Sequence, residues 1–205
     1  EIFYIGVKAE DQEAAEYDFA ALFSEFPFSQ RGPNGEEYLR GINVPTVIPD
    51  GSPNKPGIGT TVAIAVQPIS VRRVVVTNDM EHENFGDLFG TLTHNRIPVV
   101  LNNHTFGNGS TNQEFIYEDN DEGDVPGSQH PDGPGSLQDF IGQEGVGLWM
   151  LTEQDNALFN TGRVDHVFIK LDPQSDTNGV VATIQPNHFF YDFIDVPPEA
   201  TNLTV

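Results

Sequence analysis

The sequence predicts an all-β protein of the jelly-roll sandwich class, with extra strands at both flanks. Three observations carry this reading. Short runs of β-branched and aromatic residues recur along the chain and are separated by turn residues. Glycine and proline are abundant, at 20 and 15 of 205 residues, which suits a loop-rich β architecture. No amphipathic helix of ordinary length is visible, and only residues 137–141 suggest a single helical turn.

The elements follow in order. Residues 2–7 and 17–23 are the first two strand-like runs, and the acidic link between them reads as a hairpin loop. Pro27 and Gly32-Pro33-Asn34-Gly35 read as a linker. Residues 42–48 form an extended stretch broken by Pro45 and followed by Pro49, and 51–59 is a turn-rich loop. Strands are expected at 60–66, 71–77, 88–93, 99–102, 115–117, 148–152 and 164–171. After the turn at 176–179, two further runs at 180–184 and 189–196 are strand-like; Pro197-Pro198 stops them before a last apolar run at 203–205. The organisation read from this texture is residues 1–40 as the end of a preceding β-module plus linker, 41–173 as the sandwich, and 174–205 as the start of a following module or strands added to the sandwich. The two ends look cut from a longer chain.

Trp149 shares one strand face with Gly147 and Leu151, which predicts a core indole. Leu148 and Met150 on the other face are apolar too, so both faces of this strand are expected to be covered.

Charge bounds the function classes. Nine Lys and Arg against 31 Asp and Glu give a net charge of -22. Nucleic-acid binding needs clustered cations, so it is excluded as a default, as is attraction to an anionic membrane. No stretch approaches the ~20 apolar residues of a membrane span. There is no cysteine, which removes disulfides, thiol catalysis and Cys-ligated zinc. His82-Glu83 is followed by Asn84-Phe85-Gly86, so no HExxH pair exists, and no G-x-S-x-G occurs. Six scattered histidines and many carboxylates make no catalytic constellation, and the chain is read as not an enzyme. Three Asn-x-Ser/Thr sequons, at Asn103, Asn108 and Asn202, are short and common motifs.

Specific residues carry a resemblance. Ile48-Pro49-Asp50 is followed by His82, Gly86-Asp87-Leu88, Thr91-Leu92-Thr93 and Tyr117-Glu118-Asp119. Phe140, Gly142, Gly147-Leu148-Trp149-Met150-Leu151, Asp155, Thr161-Gly162 and Val164 continue the series. In order and spacing, roughly residues 44–172 resemble the P domain (Homo B domain) of subtilisin-like proprotein convertases. Departures fall in loops and at single positions: His94-Asn95-Arg96-Ile97-Pro98 replaces a Ser-Pro-x-Gly turn, Val167 a second Trp, and Asn160 an Asp. The resemblance implies a jelly-roll sandwich without catalytic residues of its own, placed beside a protease domain that it helps to fold and stabilise. The flanks are similar to strands of bacterial pre-peptidase C-terminal-type modules: Tyr4-Ile5-Gly6-Val7 with Ala15-Glu16-Tyr17, and 190–196 with 198–205. That implies an array of β-modules in an exported bacterial protein, secreted or held at the cell surface.

Two sites are expected. The first is calcium: Asp50, Asp87 and Asp119 close strands or enter loops, and Glu83, Asn84, Glu118 and Asp121 add oxygen donors of the kind Ca²⁺ takes. Residues 118–124 hold five carboxylates in seven positions, whose repulsion a divalent cation would relieve. Gly123 rules out an EF-hand loop. The second is a recognition loop at 102–113, with Asn103, His104, Phe106 and Asn108 as contacts for a sugar or peptide. The expectation is a noncatalytic module that stabilises or spaces adjacent domains of one polypeptide, rigidified by calcium. The alternative is a protein- or carbohydrate-binding module of a cell-surface adhesin, with an extracellular protein or glycan as partner.

Overall fold

The structure is a computed structural model that describes residues 25–107 and 111–174. The flanking runs and the fourth contact of the recognition loop (Asn108) lie outside the described residues. Eleven strands fill the described chain: β1 (Ser29–Arg31), β2 (Glu37–Arg40), β3 (Thr46–Ile48), β4 (Gly57–Ala65), β5 (Val71–His82), β6 (Leu88–His94), β7 (Ile97–Asn103), β8 (Thr111–Tyr117), β9 (Ser128–Gln129), β10 (Gly147–Asp155) and β11 (Gly162–Pro173). They form two sheets. One has the order β1-β2-β11-β5-β8-β9, with β3 also paired to β11; the other has the order β4-β10-β6-β7. The chain crosses repeatedly from one sheet to the other, as the all-β sandwich reading requires. No described helix is long and apolar enough to cross a membrane.

The pattern of burial explains the layering. β4 and β6 alternate buried and open residues throughout, and β10 does so from Leu148 onward, so each strand sends every second side chain inward. Trp149, at 0% exposure, is the largest of these. Its ring stacks on His94 at 4.0 Å between centroids, packs at 4.9 Å from Phe140, and its Nε1–H donates to the Gly145 carbonyl at 2.9 Å. His94 in turn is fixed by the carbonyls of Leu148 and Glu144, both at 2.8 Å from its ring nitrogens. Burying a side chain of this size contributes about 1.5–3 kcal/mol. Leu88, Leu92, Leu101 and Leu151 meet Val76, Met80, Ile169 and Leu171 of the opposite sheet in the same core. The single helical turn expected near 137 is a one-turn helix at Leu137–Phe140, closed by a capping box between Ser136 and Asp139.

Two expectations are corrected. Residues 27–40 are not a linker ahead of the sandwich: β1 and β2 form a hairpin, and β2 pairs with β11 from Leu171↔Glu37 to Phe168↔Arg40. A buried carboxylate ties the hairpin down, since Glu37 accepts the Ser29 hydroxyl and the backbone N–H groups of Val66 and Gln67. The second correction concerns the Trp149 strand. Its inner face is covered, but its outer face is open, with Leu148 at 51% and Met150 at 37% exposure.

Candidate functional site: an acid-held turn and an uncharged sheet face

Between β10 and β11 the chain makes a turn over residues 156–161, at the end of the sandwich where His82 closes β5. Carboxylates hold it residue by residue. Asp155 Oδ1 accepts the Ala157 N–H and Asp50 Oδ1 the Phe159 N–H, both at 2.9 Å. Asn160 Nδ2 donates to Asp87 Oδ2 at 2.7 Å, and Glu83 Oε2 accepts the Thr161 N–H at 2.8 Å. Asp87 is itself placed by Asn84 Nδ2 at 2.9 Å. The turn thereby presents Phe159 at 86% exposure with a φ of 84°, a conformation that costs a bulky residue energy. Beside it lies an open groove of about 520 Å³ lined by Val47, Glu81, Glu83, Thr161 and Arg163. Below the turn, His82 Nε2 and Asp155 Oδ2 face each other at 3.4 Å, both fully buried. Burial pushes Asp155 above the usual carboxylate range, with the Asp87 and Asp50 charges adding to it and the Ala157 N–H and His82 opposing.

The other expected calcium residues are elsewhere. β8 pairs Thr111 with His82 but Tyr117 with Val76, so Glu118, Asp119 and Asp121 start a strand length away, roughly 20 Å at ~3.4 Å per residue. Glu118 and Asp119 are buried. Asp119 Oδ2 accepts from the Ser136 hydroxyl at 2.6 Å and the Leu137 N–H at 2.8 Å. Asp121 sits 3.0 Å from His130 Nε2. The repulsion within 118–124 is relieved by arginine: Arg73, almost wholly buried, bonds Glu122 at 2.7 Å and Asp124 at 2.8 Å and lies 3.6 Å from Glu118, while Arg72 pairs with Glu122. These contacts hold the Glu122 and Asp124 carboxyls below their ordinary range, the side-chain bond from Arg72 leading for the first and that from Arg73 for the second. The six residues thus divide between two distant places, and their neighbours are N–H, hydroxyl and guanidinium donors. Among the described residues no group of three or more His, Cys, Asp or Glu is placed to hold a metal ion.

In the recognition loop, the Asn103 N–H donates to Asp132 Oδ2 at 2.7 Å, and His104 Nδ1 lies 3.0 Å from the Gly86 carbonyl. Phe106 turns inward, stacked on Phe115 at 4.0 Å and packed against the core. Of the expected contacts among the described residues, Asn103 and His104 are the open ones.

Sequence reasoning missed the outer face of the four-stranded sheet. β4 shows Ile58, Thr60, Val62 and Ile64 there; β10 shows Leu148, Met150, Thr152 and Gln154; β6 shows Phe89, Thr91 and Thr93. The register sets them in rows, Ile64 beside Leu148, and Val62 beside Met150 beside Thr93. None of these residues is charged, in a chain whose net charge is -22.

No family model matches the chain, and no curated protein matches it. Two solved structures are similar: the serine protease of Aeromonas sobria, at a TM-score of 0.44, and the same protease in complex with its chaperone, at 0.43. Each is 13% identical, with 73% of this chain aligned to 28% of the other. The chain thus spans just over a quarter of the length of those proteases.

Proposed function

We propose that this chain is a noncatalytic accessory module of a larger exported polypeptide, docked on a neighbouring domain through the outer face of its four-stranded sheet. The observation that supports this reading is the charge-free face. With 31 acidic residues to place, the chain puts none on the outer side of β4, β6 or β10, where apolar groups and threonines stand instead. An exposed apolar patch of this kind is a mark of an interaction surface, and it lets an acidic molecule meet a neighbour without like-charge contacts.

Size favours a domain of the same polypeptide over a free partner. Three strands at ~4.8 Å spacing and about 25 Å of strand length give roughly 350 Å². A stable complex of separate chains uses about 800 Å² on each side, whereas domains joined in one chain bury roughly 300–750 Å² each. At this end of the sandwich the polar side chains serve the scaffold: His82 and Asp155 face each other in the interior, and Glu83 and Asp87, expected as calcium ligands, hold a turn.

The test is Met150→Lys in the complete reading frame that contains this chain. Release of the module, read as new protease cleavage at its boundaries, is the expected result; an unchanged digestion pattern would refute the reading. A second reading, capture of an extracellular protein, rests on the exposed Phe159 and on the groove lined by Thr161 of the same turn. Under that reading Phe159→Ser abolishes partner binding and Met150→Lys does not.

A further inference from the structure

Glu153 stands on β10 in register with Trp149 and Leu151, and its side chain is fully buried between the sheets. Asn78 of β5, in the seven-stranded sheet, places its Nδ2 2.9 Å from Glu153 Oε1. Asn102 of β7 places its Nδ2 3.5 Å from Oε2 and accepts the Tyr117 hydroxyl of β8 at 3.3 Å. Gly90 on β6 makes the room: a Cβ there would lie 2.6 and 2.7 Å from the two carboxyl oxygens. Among the described residues no Lys, Arg or His is paired with this carboxyl, so an ionised Glu153 would be a buried charge without a counter-ion. Asn78 Oδ1, in turn, is buried with no hydrogen-bond partner. Turning that amide by half a rotation puts Oδ1 where Nδ2 stands, and it then accepts a proton from Glu153.

We propose that Glu153 is a proton-holding clamp between the two sheets, neutral in the folded protein and donating to Asn78, and that loss of its proton on alkalinisation loosens the sandwich. Burial pushes its pKa up to about 8, with Asn102 and Asn78 acting in the opposite direction. The titratable group that meets this network is Tyr117. Burial, and then the Glu153 charge, push its phenol well above the ordinary range, so it stays neutral; Asp132 acts on it in the same direction and Gln129 opposes. The folded value of Glu153 lies above the ordinary 4.5. Its contribution to stability is therefore complete below about pH 4.5 and is lost as the pH rises to about 8. Within that window each pH unit raises the unfolding constant by up to about tenfold, one proton being released. The device stands independently of the docking reading.

The experiment is denaturant unfolding of the wild-type chain and of Glu153→Gln from pH 5 to 9. The wild type should lose stability relative to the variant by up to about tenfold in unfolding constant per pH unit, levelling above pH 8. Parallel curves would overturn the proposal. Should Glu153→Gln fail to fold, infrared spectra of the folded wild type decide. The C=O stretch of a protonated carboxyl should be present at pH 6, where exposed carboxylates are ionised, and gone by pH 9, and it should persist at pH 6 in Asp155→Asn, which removes the other buried carboxyl held above its usual range; its absence at pH 6 would overturn the proposal.

Discussion

Where β5 and β11 pair, the outer side of the seven-stranded sheet carries Glu81 against Arg163, with Asp79 and Lys170 along the same strands. The matching centre of the four-stranded sheet carries Val62, Met150 and Thr93 in one row and Thr60, Thr152 and Thr91 in the next. Both sheets turn every second side chain into one core, so their inner faces are alike. Only the outer faces differ. Charge on the first cross-links strands and faces water, whereas its exclusion from the second leaves a surface that a neighbouring domain can cover. On the proposed reading, stability and docking lie on opposite sides of the molecule, and substitutions should separate them.

Trp149→Ala sets the scale, because it empties the layer that both sheets share: a loss of about 3–5 kcal/mol in denaturant unfolding is expected. Arg73→Met comes next, at about 3 kcal/mol, since Glu118 is buried and would lose its cation. The same variant should blunt acid sensitivity. Glu122 and Asp124 are held below their ordinary range, so their contribution is present above it and lost as the pH falls through the lowered values. A smaller cost is expected for Arg163→Met, whose ion pairs with Glu81 and Asp165 lie at the surface. For Met150→Lys the isolated chain should change by less than about 0.5 kcal/mol; a loss of several would mean that the uncharged face supports the fold and would break the contrast. Smallest of all is calcium: with the carboxylates already engaged by protein donors, the melting temperature should be equal in excess calcium and in chelator. A clear rise in calcium would show that a metal completes one of the two acidic regions.

Periodicity made the inner face legible. Trp149 was recognisable as core because Gly147 and Leu151 flank it at spacing two; the strands at 71–77 and 164–171 stand inside β5 and β11, and that at 60–66 overlaps β4 but runs one residue past its end. The same spacing places Glu153 and Asp155 inward, a signal that their acidity masked. The hairpin of β1 and β2 was hidden by Pro27 and the Gly32-Pro33-Asn34-Gly35 turn, which look alike in a linker and in a hairpin. Apolar residues facing outward, such as Leu148 and Met150, cannot be told by pattern from apolar residues facing a second layer. The tethers of the 156–161 turn and the pairing of Arg72 and Arg73 with Glu122 and Asp124 join residues up to 109 positions apart, beyond the reach of local pattern.

Docking through the uncharged face is tested most directly by a thiol placed on it. The chain has no cysteine, so Met150→Cys gives a single reporter within it. Its reaction with a water-soluble maleimide is compared in the isolated chain and in the complete reading frame, with Arg163→Cys as the control on the opposite face. The account predicts a reaction slowed severalfold at position 150 in the complete polypeptide and unchanged at 163. Equal rates at position 150 in the two contexts would contradict it.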